Sequence, residues 1–138
     1  MKSSVFLDTN VVLDIVLERP SFLEHAKQIL ELCDDHKITL FTSALTVVNC
    51  AYFSKKFDRN PTMTVDSLLK WFEIIDLKKG HIESSRLSKF KDFEDGLQFF
   101  AAKEIRGIDY IVTRDESDFK ASSIPVLSPK KFLLTVQK

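Results

Sequence analysis

The sequence predicts an α/β fold, a three-layer α/β/α sandwich around a central parallel sheet of four to five strands. Two observations carry this. Short β-branched or aromatic runs of strand length alternate along the chain with longer segments of helical periodicity. Strands separated by helices cannot be closed as hairpins, so they pair in parallel through right-handed crossovers and bury both sheet faces under helices. A third observation sets the scale: 138 residues, 44% hydrophobic and 29% charged with three Gly and four Pro, are enough for one core and too apolar for disorder. Residues 1–138 are therefore read as a single domain.

The elements follow in order. Residues 4 to 7 form a first buried strand, Ser4-Val5-Phe6-Leu7, and residues 10 to 18 a helix ended by Arg19-Pro20, because a residue before proline is pushed out of the helical region. Ser21 caps a second helix from Phe22 to about Asp35, with Glu24 completing a capping box and Phe22, Ala26, Ile29, Leu30 and Cys33 on its apolar face. Residues 38 to 42 are β-branched and aromatic, a second strand, after which Ser43 caps a helix reaching about Phe57. Asp58-Arg59-Asn60-Pro61 reads as a turn, 64 to 72 as a helix, 74 to 77 as a third strand and 81 to about 90 as a helix. Phe93, Leu97, Phe100, Ala101 and Ile105 mark a helix stopped by Gly107. Residues 110 to 113 make the fourth strand and 125 to 128 a short edge strand opened by proline. The last helix starts at Pro129 behind a Ser128 cap.

Composition excludes several functions. Twenty basic and twenty acidic residues cancel, so bulk charge neither requires nor forbids a nucleic-acid partner. Cys33 and Cys50 fit no zinc spacing and read as free buried thiols; His25, His36 and His81 form no HxxxH or HExxH pair. Gly80, Gly96 and Gly107 build neither a P-loop nor a dinucleotide fingerprint. Twelve phenylalanines fall mostly at helical core spacing, which is packing before it is base stacking. Asp8 interrupts the first apolar run too early for a secretory signal, and no stretch approaches a membrane span. The expectation is a cytoplasmic, prokaryotic protein with no membrane contact.

The chemistry lies in acids at strand ends. In a parallel sheet all strand carboxyl ends share one edge, where open α/β sheets place their ligands. Asp8 follows the first strand, Ser43 the second, and the loop from Thr113 through Asp115 to Asp118 the fourth; Asp95 joins from the first turn of its helix. Taken singly, Asp8 reads equally as a helix cap and Asp95 as a first-turn carboxylate favoured by the helix dipole. Taken together, they form a cluster whose mutual repulsion a hard divalent cation would relieve, Mg²⁺ or Mn²⁺, as phosphodiester hydrolysis needs. Arg114 is the candidate phosphate ligand, with Arg19, Lys55, Lys56 and Arg59 flanking it.

Four segments, Asp8-Thr9-Asn10, residues 42 to 49 (TSALTVVN), residues 92 to 98 (DFEDGLQ) and residues 110 to 119 (YIVTRDESDF), resemble the PIN domain family in type and order across essentially the whole chain. The resemblance implies an Mg²⁺- or Mn²⁺-dependent endoribonuclease for single-stranded RNA, leaving a 5′-phosphate and a 3′-hydroxyl. It also implies a VapC-like toxin of a toxin–antitoxin pair, an antitoxin protein as partner, and a homodimer. Carried over by position, Asp8 and Asp95 are metal-binding acids, Asp115 or Asp118 is the last acid, and Thr113, Asn10, Ser43 and Arg114 face the substrate. The departure is Asn49, which stands where many members carry glutamate and supplies an amide without charge. An alternative reading follows from it: an attenuated PIN-like module that binds RNA or a protein without efficient cleavage.

Overall fold

A computed structural model describes residues 2–136. Its elements are β1 (Ser3–Leu7), α1 (Thr9–Val16), α2 (Leu23–Asp34), β2 (Ile38–Ser43), α3 (Ala44–Lys56), α4 (Pro61–Trp71), β3 (Phe72–Ile75), α5 (Lys79–Leu87), α6 (Phe93–Lys103), β4 (Tyr110–Val112), a 3₁₀ turn (Glu116–Phe119), β5 (Val126–Leu127) and α7 (Pro129–Val136). The five strands pair in parallel in the order β3-β2-β1-β4-β5, with β5 at an edge as expected.

Alternation along β1 divides the core. Val5 and Leu7 point to one face, packing with Val11, Val12, Ala26, Ile29, Cys50, Leu68 and Phe132 of α1–α4 and α7. Phe6 points to the other, against Phe99, Ala102 and Ile105 of α6 and Phe119 of the 3₁₀ turn. These are the three layers the sequence predicts. The chain moves from β1 to β2 and β3 on one side, then returns through α5 and α6 to β4 on the other side of β1. The switch point thus lies between the carboxyl ends of β1 and β4, next to Asp8.

Several boundaries differ from the expected ones, each for a local reason. Ser21 does not cap α2, and no capping box forms with Glu24. Phe22 takes the cap position without a side-chain bond, and the free N–H groups of Phe22 and Leu23 are satisfied by the Arg19 carbonyl instead. Asn60-Pro61 is a helix start: Asn60 Oδ1 accepts from Thr62 N and Met63 N, and Pro61 occupies the first helical position, where its missing N–H costs nothing. Starting α4 earlier brings β3 forward to Phe72, which pairs with Leu40. Helix α6 ends at Lys103, ahead of Gly107. Tight turns through Glu104, Ile105 and Ile108 follow it, and Gly107 at φ +73° supplies the left-handed residue that reverses the chain.

Gly96 fixes the approach of α6 to α5. A Cβ there would overlap Ser85 Oγ and stand 3.1 Å from Ser85 Cβ. That hydroxyl is held by donation to the Phe93 carbonyl at 2.8 Å and cannot swing aside without losing the bond. Gly96→Ala gains helix propensity of up to ~1 kcal/mol but forces the helices apart, so a net loss of about 1–2 kcal/mol is expected in a urea unfolding curve. An unchanged or raised midpoint would contradict this close packing of α5 and α6.

Candidate active site

Asp8 is 5% exposed at the end of the central strand, and its backbone N–H is bonded to the Val112 carbonyl of β4 at 3.0 Å. Its Oδ1 accepts from Thr9 N at 2.9 Å, so it does cap α1, and also from Gln98 Nε2 at 3.4 Å. Its Oδ2 accepts from Thr113 Oγ at 2.9 Å. Capping therefore uses one oxygen of a carboxylate that is held by three elements. Burial raises the Asp8 carboxyl above its ordinary value of 3.8, outweighing the bonds from Thr113, Thr9 and Gln98, and the Asp115 charge adds to the rise.

Asp95 stands in the first turn of α6, which Asp92 caps by accepting from Asp95 N at 3.0 Å. It is pushed from 3.8 up to about 7, first by burial and then by the charges of Asp8, Asp92, Asp118 and Asp115. A first-turn carboxylate serving only the helix dipole would be lowered, so this acid is held against its own preference. Asp115 is exposed and anchored by Asn10 Nδ2 at 3.1 Å, while Asn10 Oδ1 accepts from Arg114 N at 3.3 Å.

Asp8, Asp95 and Asp115 line one open cavity of about 470 Å³ together with Asn10, Arg19, Asn49, Tyr52, Glu94 and Gln98. Asn49 of α3 lines this acidic cavity. Asp118 lines the neighbouring cavity. Ser43 and Thr113 are fully buried and act on the site through hydrogen bonds. Ser43 Oγ donates to Gln98 Oε1, and Gln98 Nε2 donates to Thr9 Oγ at 2.9 Å and Thr46 Oγ at 2.8 Å.

Arg114, the expected phosphate ligand, is placed differently. Its guanidinium donates to buried Asp14, with Nε 2.8 Å from Oδ2, and lies 3.9 Å over the Phe22 ring. Arg19 also reaches Asp14, at 3.3 Å. An Asp14 carboxylate left without these partners would be an uncompensated buried charge, so both arginines are structurally committed. Arg59 is paired with Glu18 at 3.0 Å.

Gln98 and Glu94 are residues that sequence reasoning missed. Both follow from helical spacing: Gln98 is three residues after Asp95 and four after Glu94, so all three share a face of α6. The donor set is oxygen throughout, without thiol or imidazole, which suits a hard cation. Among the described residues no three acidic side chains already converge on one point. The fit is to an ion held by one or two carboxylates that keeps several waters, as Mg²⁺ does.

Comparisons with known proteins span nearly the whole chain. A family model described as PIN domain matches residues 4–117. The chain is 30% identical to Ribonuclease VapC1 of Aquifex aeolicus (strain VF5) over 134 residues, covering 93% of this chain and 92% of that protein. Among solved structures, a toxin–antitoxin complex from Klebsiella pneumoniae superposes with a TM-score of 0.66 at 24% identity, covering 91% of this chain and 97% of that one. VapBC2 from Rickettsia felis, bound to a DNA fragment from the promoter, gives 0.68 at 16% identity over 89% and 96%. These likenesses bear on the fold.

Proposed function

Because this chain belongs to the PIN domain family, we propose that it is an endoribonuclease that hydrolyses single-stranded RNA, the toxin of a toxin–antitoxin pair, with Mg²⁺ or Mn²⁺ in the acidic cavity. The observation that carries the reading is that Asp8, Asp95 and Asp115, from three separate segments of the chain, line one open cavity, where burial and neighbouring acids push Asp95 up to about 7. Such a cluster is expensive to keep without a cation to neutralise it. The similarity to Ribonuclease VapC1 over nearly the whole of both chains supports the same reaction class.

Asp8 and Asp95 would hold the ion, with Asp115 as the third acid lining the same cavity. The bound ion supplies Lewis acidity toward a phosphoryl oxygen and lowers the pKa of water. The chain's own residues supply position. Thr113 and Gln98 hold the Asp8 carboxylate from opposite sides, and Asn10 holds Asp115. Hydrolysis then joins a water oxygen to phosphorus and breaks the bond to the 3′-oxygen, which leaves as a hydroxyl. An antitoxin partner has support in Val48 and Tyr52, which expose 65% and 64% of their surface one helical turn apart on α3. A homodimer is part of the same proposal.

A second reading rests on Asn49. It lines the cavity where a charged residue would strengthen cation binding, and its amide leaves the site with fewer formal charges. The test is cleavage of a labelled single-stranded RNA with Mg²⁺ or Mn²⁺, and with EDTA, by wild type and Asn49→Glu. Metal-dependent cleavage that EDTA abolishes is expected, with a several-fold lower metal requirement in Asn49→Glu. Negligible wild-type cleavage with a gain of two orders of magnitude in the variant would favour the binding module. No cleavage by either protein would end the ribonuclease reading.

A further inference from the structure

A second cavity, of about 380 Å³, opens beside the acidic one between the α5–α6 loop and the 3₁₀ turn. It is lined by Lys89, Phe90, Lys91 and Asp92 from the loop, by Ser117 and Asp118 from the turn and by Lys120 just after it. The two cavities are neighbours: Asp92 and Asp118 line this one, and their charges are felt by Asp95, which lines the other. Asp92 is partly neutralised by its cap on α6, to which it accepts the Asp95 N–H.

Three cations thus stand next to an acidic centre, and among the described residues none of the three forms an ion pair. Arg19, Arg114 and Arg59 are by contrast bound to carboxylates of the protein. The floor beneath the lysines is packed on the core. Phe90 packs on Phe99 at a 5.1 Å centroid distance and edge-on to Phe119 at 5.8 Å, so loop and turn are fixed to each other through the core. Surface lysines with nothing to hold them drift in solvent. Here they ring a preformed cavity of a size that ligands occupy.

We propose that this lysine-lined cavity binds a backbone phosphate of the RNA strand whose scissile phosphate lies in the acidic cavity, with Lys89, Lys91 and Lys120 as its ligands. The proposal rests on the ribonuclease reading. It assigns the grip on the strand to lysines in the α5–α6 loop and just after the 3₁₀ turn, and so replaces the expected role of Arg114. Ammonium groups are point charges that neutralise phosphates without reading bases, so the subsite contributes affinity and register, not sequence preference.

The experiment measures binding of a fluorescein-labelled, mixed-sequence single-stranded RNA in EDTA across a salt series, and KM and kcat with Mn²⁺. It compares wild type, the triple variant Lys89→Ala/Lys91→Ala/Lys120→Ala, and a control triple, Lys27→Ala/Lys37→Ala/Lys70→Ala. The control removes the same charge from α2, from the residue before β2 and from the last turn of α4, none of which lines either cavity. The cavity variant is expected to bind roughly ten-fold more weakly at low salt. Its log–log salt slope should be shallower by about 0.7 for each phosphate that the lysines no longer neutralise. KM should rise and kcat stay within about two-fold, and the control should match wild type. Wild-type affinity and slope in the cavity variant, or equal losses in the control, overturn the proposal. So does unchanged RNA binding with loss of a protein partner, which would make the cavity a docking point for an acidic segment. If wild type neither binds nor cleaves RNA, the ribonuclease reading has failed first, and the subsite falls with it.

Discussion

Asp8→Asn is expected to lower RNA cleavage by at least about 100-fold while leaving the fold intact, and to raise rather than lower the stability of the metal-free protein. The activity loss follows from the metal-holding role proposed for Asp8, since loss of even an outer partner of a metal site costs about 10–100-fold. The gain in stability has a local origin. The amide keeps the carboxylate's shape and its oxygen can still accept from Thr9 N; it gives up the bond from Thr113 Oγ, which already accepts from Asn10 Nδ2 and Asp115 N, a loss smaller than the burial cost it removes. What disappears is a charge that burial disfavours. Thermal unfolding and single-turnover cleavage on the same preparation separate the roles. If Asp8 were only a helix cap, activity would survive; if only a structural anchor, Tm and activity would fall together.

The second large effect is a pH-dependent response to metal. Asp95 has its ordinary carboxylate value, 3.8, in the unfolded chain and about 7 in the folded one. Below 3.8 both states hold the proton. Between the two values the unfolded state has released it while the folded state keeps it, so the folded state binds more protons and stability falls as pH rises. Above about 7 the cost is fully expressed, and a divalent cation then has most to relieve. Saturating Mn²⁺ at about 100 times its dissociation constant adds about 2.7 kcal/mol, on the order of 10 °C in Tm for a chain of this size. Below that value protons compete for the same oxygens and the gain shrinks. Asp95→Asn should flatten the metal-free pH dependence and remove most of the Mn²⁺ response. Equal Tm gains on both sides of the titration would sink this account of the site.

The layers, the edge position of β5 and the placing of Asp8 at a strand end were legible because they depend on local patterns. A continuous apolar run marks β1 and a β-branched and aromatic run β2, and a carboxylate at a strand end is visible as a break in an apolar run. What was not legible depended on partners far along the chain. Arg114 looks like a free phosphate ligand until Asp14, one hundred residues earlier, is seen to hold it. Gln98 sits among Leu97, Phe99 and Phe100 and reads as a polar gap in a core face, although it links Ser43, Thr46 and Thr9 to Asp8. The missed start of α4 is a failure of another kind. Asn60-Pro61 is chemically suited both to a turn and to a helix start, and β2–β3 pairing chose between them.

The bonds that hold Asp8 have an implication for how activity arises in time. Apart from the Thr9 N–H, its side-chain partners lie 90 and 105 residues away, and its backbone amide pairs with Val112. Contacts of that span close the largest loops in the chain and form late compared with local helices. A chain still emerging during synthesis, or one opened at the β1–β4 seam, has every acid of the site and no geometry to use them. Degradation of RNA would then switch on as the last step of folding, all at once, and be lost as the first cost of partial unfolding.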